Sequence, residues 1–230
     1  MMKHKGVAVG ILTACLVVLM MAFARADEPK KPVVKYTFDA QKEAEIQELP
    51  NLPLSTAFEK LKGIDYFVNE AFLHKGIFKA FEFKKKEAID LAINYLKLPV
   101  KEIIDGKSVS RVDDFHVAKK ILHVFPDEAI DSLSEIYSTG NAVAKGNAIR
   151  VSGKMAGGQA IRSLLIEALD DKTFCEERYP EISGEPLRVC DIAYNQLVLR
   201  YMIRNVLRTI GTAHRIEIRD YHIDILKSRL

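Results

Sequence analysis

The chain has 230 residues, 48% of them hydrophobic and 28% charged, with 34 Lys and Arg against 31 Asp and Glu. That length buries a substantial core in one domain. The near balance of charge gives no argument for nucleic acid, whose binding needs a clustered basic face.

The first 26 residues read as a targeting segment. Lys3, His4 and Lys5 precede an uncharged run from Gly6 to Ala24, and Ala24-Arg25-Ala26 has the small-x-small form of a signal-peptidase site. Cleavage is expected before Asp27, giving an exported, periplasmic or secreted protein. The run also approaches the length of a membrane span, so an uncleaved anchor is the alternative. Leu12-Thr13-Ala14-Cys15 looks like a lipobox and offers a third route. Cleavage would remove three basic residues and no acid, leaving 31 of each sign.

Residues 27–53 carry Pro29, Pro32, Pro50 and Pro53 among Lys and Glu, with sparse apolar residues, and are expected to form a flexible tether. Residues 54–83 hold six of the eleven Phe. Two short helices broken near Gly63 and Gly76 are expected there, forming either an aromatic-rich cap on a helical stack or an aromatic docking surface.

From Lys84 onward the apolar residues recur at helical intervals. Ala88, Leu91, Tyr95 and Leu98 form the first stripe, stopped by Pro99; Val112, Phe115, Ala118, Leu122 and Phe125 form the second. Pro126 ends that helix and opens the next, with Ile130, Leu133 and Tyr137, up to Gly140. Ala144, Ala148, Val151 and Met155 line a fourth, and Gly157-Gly158 turns into a fifth with Ile161, Leu164, Leu165, Ala168 and Leu169. A polar insert from Asp170 to Gly184 follows. Pro186 suits the first turn of a sixth helix whose seam is Leu187, Cys190, Tyr194, Leu197 and Tyr201, with Arg188, Asp191, Asn195 and Gln196 pointing elsewhere. Val198 to Ile210 can continue or restart helically, and a last helix is expected from about Asp220. That last segment is ambiguous, since Ile216, Ile218, Ile223 and Ile225 alternate as in a strand while Ile218, Tyr221, His222 and Ile225 share a helical face; no other segment reads as a strand.

These helices repeat. Arg-Val recurs at Arg111-Val112, Arg150-Val151 and Arg188-Val189, and Ala-Ile leads each unit at Ala88-Ile89, Ala129-Ile130 and Ala160-Ile161. Helix pairs at about 40-residue spacing resemble HEAT repeats. The resemblance covers Lys84 to Leu199 and is strongest where Leu165 to Asp170 and Pro186 to Val189 look like the end of one HEAT helix and the start of the next. It implies an all-α fold, a short right-handed α-solenoid over residues 84–230, whose usual employment is protein recognition. It also implies a ladder of acid and Arg between repeats. Asp170 or Asp171 with Arg188 fits the third unit and Asp105 with Arg111 the first, while Arg150 has no acid on its turn. One hairpin cannot offset the entropy of ordering about 40 residues, so neighbours must share faces.

Of the three cysteines, Cys175 and Cys190 remain after cleavage, and an even pair in an exported chain favours a disulfide. The alternative is that Cys190, lying on the seam, is a small buried thiol. His116 with Asp113, and His214 with Glu217, each place two ligand types three residues apart, half a metal site at best. His74, His123 and His222 add no further ligand pattern. Gly153-Lys154 with Gly157-Gly158 lacks P-loop spacing, and Ser152, Ser163 and Ser183 lack a nucleophile context. Cys175 and Cys190 are too far apart for a Cys-x-x-Cys pair. Lys84-Lys85-Lys86 is a solvated helix start or a contact for acidic surfaces. Arg200, Arg204 and Arg208, with Arg215, make a basic ridge that suits an acidic partner or is ordinary surface charge. The expected function is a non-catalytic protein-binding or assembly scaffold of the cell envelope, without cofactor or metal. Its rivals are a metal-binding or enzymatic protein using His116, His123, His214 or His222, and a membrane-anchored structural subunit.

Overall fold

The structure, a computed structural model, describes residues 40–62, 64, 70–104, 107–176 and 184–230, all within the compact unit Phe38–Leu230. The expected signal segment, with its anchor and lipobox alternatives, lies outside the described residues. So do residues 27–39 of the expected tether, the break at Gly63, and Asp105 of the expected first ladder pair.

The described chain is predominantly helical. Its helices are α1 (Ala40–Glu48), α2 (Leu54–Lys62), α3 (Glu70–Phe81), α4 (Lys85–Leu96), α5 (Val112–Val124), α6 (Pro126–Thr139), α7 (Ala142–Ser152), α8 (Gln159–Glu167), α9 (Val189–Tyr201) and α10 (Ile216–Lys227). Pro126 occupies the first turn of α6, where a missing N–H costs nothing, and the Asn141 side chain caps α7 by accepting from the Ala144 N–H at 2.9 Å.

The expected tether is corrected at its C-terminal end. Residues 40–51 are helical, and Ile46 and Leu49 are buried against α3. Gly76 does not break a helix either. It lies inside α3, where an added Cβ would sit 2.0 Å from Ile46 Cγ2, so its missing side chain lets α1 approach. In the segment expected to form a cap or a docking surface, α2 and α3 pack on α5, and Phe58 stacks on Tyr95 of α4 with ring centres 4.5 Å apart.

Beyond this segment, α4 pairs with α5, α6 with α7, and α8 with α9. The first helix of each pair also touches the next first helix, α4 to α6 to α8, and the second helices do likewise, α5 to α7 to α9. Asn147 in the middle of α7 is buried and donates to the Leu96 and Leu98 carbonyls, satisfying the C-terminal end of α4.

Strands were not expected, yet β1 (Lys101–Ile104) and β2 (Lys107–Ser110) form an antiparallel hairpin with Ile104 opposite Lys107. Asp105-Gly106 between them is a dipeptide that strongly favours tight hairpin turns. The Arg111 side chain donates to Glu102 at 2.5 Å and the Arg111 N–H to the Val100 carbonyl at 2.7 Å, tying the hairpin to the start of α5.

Helix α9 starts at Val189, three residues after Pro186, so the proline precedes the helix instead of opening it. It ends at Met202, a left-handed residue, and the chain through Ile210 is irregular. Tyr194 Oη donates to the Leu207 carbonyl at 2.6 Å, while the Asn195 amide exchanges two hydrogen bonds with the Ile210 backbone, which fastens that segment to α9.

Gly76→Ala is expected to destabilise the protein by about 1–3 kcal/mol through overpacking. Adding Ile46→Ala should cost less than the sum of the two single changes. Urea unfolding of the four-member cycle checks this; strict additivity would show that α1 does not rest on α3.

Candidate functional site

A cleft of about 430 Å3 opens where the second helices of neighbouring pairs begin. Val112, Phe115 and His116 of α5 form one wall, and Val143, Asn147 and Arg150 of α7 the other. Cys175, Glu176, Gly184, Pro186 and Thr212 close the far side. The lining is mainly apolar; its charged groups are the exposed Lys101 and the pair in which Arg150 donates to Glu176. Val112 and Phe115 fall on the stripe expected to face the core, but they are only half-buried because the core of α5 turns to Val117, Ala118, Ile121 and Leu122. The helix thus spends its first turn on the cleft and the rest on packing.

The third side of the cleft is built from loops, and a buried ionic cluster holds them. Asp191, in the first turn of α9, is fully buried between Arg188 and Arg219, themselves almost wholly buried. Asp191 Oδ2 accepts from the Arg188 backbone N–H at 3.0 Å and from Arg219 at 2.9 Å, and Oδ1 accepts from Arg188 at 2.9 Å. Arg219 also donates to the carbonyls of Glu185, Pro186, Thr212 and His214. One guanidinium on α10 therefore fixes both 184–186 and 211–214. Gly184 is required at this junction: its φ is +111°, and an added Cβ would lie 2.0 Å from the Thr212 carbonyl oxygen. Asp220 completes the cluster, 2.7 Å from Arg188 and 3.0 Å from Lys172. Burial pushes its carboxyl up, but the hydrogen bonds from Arg188 and Lys172 outweigh this and hold it below the ordinary aspartate range.

The residues singled out from the sequence are dispersed. Arg150 edges the cleft, Arg188 lies in the cluster beneath its loops, and Arg111 secures the hairpin. The expected third-unit ladder is not made: Arg188 pairs with Asp191 and Asp220, Asp170 with Lys227, and Asp171 with Lys145 at 3.3 Å. Asp171 Oδ1 also accepts from the Thr173 N–H. The acids that meet Arg188 come from its own helix turn and from α10, an element outside the three helix pairs.

Cys175 and Cys190 are free buried thiols, which corrects the expected disulfide. Burial pushes both up to about 12, so neither is poised as a nucleophile. Cys175 Sγ instead donates to the Leu187 carbonyl at 3.3 Å and fills the space that Gly146 leaves open.

The histidines do not converge. His116 lines the cleft, with its pKa lowered by burial and by Lys119 and Lys154 despite Asp113. His123 contacts the Val151 carbonyl at 3.1 Å, and His214 Nδ1 accepts from the Gly211 N–H. Among the described residues no three His, Cys, Asp or Glu side chains form a metal-binding group.

Glu176 and Arg219 were not singled out in the sequence. Each meets its partner across more than two dozen residues, and no local pattern marks such a pair. No known protein family, curated protein or solved structure matches this chain.

Asp191→Ala is expected to cost about 3–5 kcal/mol, because it strands two buried guanidinium groups. A loss under about 1 kcal/mol would contradict the cluster's role. Since the Asp220 pKa is lowered in the fold, its contribution is complete above the unfolded value of about 3.9 and is lost as pH falls through the folded value. Urea unfolding across that acid range should show a smaller stability loss in Asp220→Asn than in the wild type.

Proposed function

We propose that this chain is a HEAT-like helical-repeat module, a short right-handed α-solenoid that binds a protein partner in the cell envelope without catalysing a reaction. Support for the repeat reading comes from the pairing of α4/α5, α6/α7 and α8/α9, with first helices adjoining first helices and second adjoining second. The cleft carries the functional reading. It is open, mainly apolar, and walled by the starts of α5 and α7 and by the loop before α9, so successive units contribute to one surface.

Such a cleft accepts a protruding apolar side chain between Phe115 and Val143, while the Arg150–Glu176 pair at its edge offers one donor and one acceptor group for a peptide backbone. Recognition by shape, with Asn147, Arg150 and Glu176 along the wall, suits an apolar side chain presented on a protein ligand. The export reading rests on the N-terminal segment, from Lys3 to Ala26, and places the partner in the periplasm or outside the cell.

A photo-crosslinking residue at Val143 or Phe115 in intact cells should yield one discrete adduct with the same protein. The same residue at Glu135, exposed on α6, should not. Equal, diffuse labelling from all three positions would contradict a partner-binding cleft.

A further inference from the structure

At the far end of α9 the chain presents a second surface, distinct from the cleft. Met202 ends the helix at φ 49°, in the left-handed region that glycine or asparagine usually fills, and it is 77% exposed. Leu199 and Tyr201 beside it are also exposed. The left-handed turn lets the Ile203 N–H close on the Val198 carbonyl and brings Ile203, Val206 and Leu207 onto the core, which leaves Met202 in solvent.

The surroundings are basic. Neither 192–216 nor 136–166 contains a single Asp or Glu, and among their eight Lys and Arg are Arg162, Arg200, Arg204 and Arg208. The two stretches are stapled by Arg200, which donates to the Gly153, Met155 and Gly157 carbonyls. Arg200 and Arg162 both lie over the Tyr201 ring, 5.6 and 5.8 Å from its centre. Among the described residues no carboxylate forms a salt bridge with Arg162, Arg200, Arg204 or Arg208. The expected even ridge at four-residue steps is not formed, because α9 stops after Tyr201. Its charges instead flank an apolar corner.

We propose that this corner, Leu199 to Arg208 with Arg162, docks on an anionic phospholipid surface, Met202 and Tyr201 entering the interface while the basic side chains meet the headgroups. Protruding apolar tips ringed by Arg and Lys match the boundary between acyl chains and charged headgroups. An acidic protein would use the charges but would leave Met202 without a receiving pocket. The basic residues are expected to supply most of the selectivity for anionic lipid, about fivefold in partitioning per residue.

The protein contains no Trp, so Met202→Trp in the full chain is a single fluorescent reporter. It is mixed with phosphatidylcholine vesicles, either neutral or containing roughly one-third phosphatidylglycerol, a charge density sufficient for surface attraction. The expected result is a blue shift on the anionic vesicles alone, reversed by salt of about 0.5 M as screening sets in. Arg204→Glu with Arg208→Glu should lower partitioning by tenfold or more. Arg204→Glu alone, at an exposed side chain, should lower it by fivefold or more if the double change unfolds the chain. Wild-type and arginine variants carry the same N-terminal run, so a difference in partitioning between them reports the corner alone. An unshifted spectrum, an equal shift on neutral vesicles, partitioning insensitive to the arginine changes, or a shift with polyglutamate but not with vesicles would each overturn the proposal.

Discussion

A carboxylate between two guanidinium groups, all three out of water, is the constraint on which the working end of this molecule depends. Removing such charges from solvent is costly, and it is repaid only when every lone pair and N–H finds a partner at good geometry. Asp191 and Arg219 meet that condition, because the hydrogen bonds left over after they pair with each other go to the Arg188 backbone and to the carbonyls of two loops. The cluster therefore does more than fasten α9 to α10. It converts the irregular stretches 184–186 and 211–214 into a fixed wall, and that wall closes the cleft.

Across the cleft the other two walls come from ordinary helix packing. Helix α5 directs Val117, Ala118, Ile121 and Leu122 into the core, which leaves Val112 and Phe115 half-buried at its first turn. Asn147 does a related double duty on α7: its side chain closes the carbonyl end of α4 while its position lines the cavity. The cleft is thus formed where the packing of neighbouring helix pairs leaves side chains uncovered.

Periodicity made most of the helical fold legible. The starts and stops at Pro126, Gly140 and Gly157-Gly158, and the three helix pairs, follow from the apolar spacing and from residues that cannot continue a helix. Two departures have local causes. Asp105-Gly106 offers a ladder acid and a hairpin-turn signal alike, and the strands on either side of it pair as a hairpin; Gly76, a breaker by composition, marks close approach of α1 instead. The site was much less legible. Asp191 lies off the apolar seam that the spacing predicts, where an acid ordinarily faces water, but α9 is buried on all sides over its first turns, and the arrival of Arg219 from α10 makes the buried acid tolerable. Contacts of that separation leave no periodic trace, and neither does the pairing of Arg150 with Glu176.

The same reasoning explains the cysteines. An even pair in an exported chain favours a bridge when a small core needs a staple. Here the core is large and Cys190 is spent inside it, while Cys175 occupies the gap beside Gly146. Native-state hydrogen exchange tests the central claim most directly. If the Asp191 cluster unites the loops with the helices, the Arg219 Nε–H and the backbone N–H of Val189, Cys190 and Ile192 should exchange together, only through global unfolding. Exchange at Arg219 through a low-energy local opening, with α9 still protected, would show that the cluster is an ornament on an already stable stack and would contradict this account.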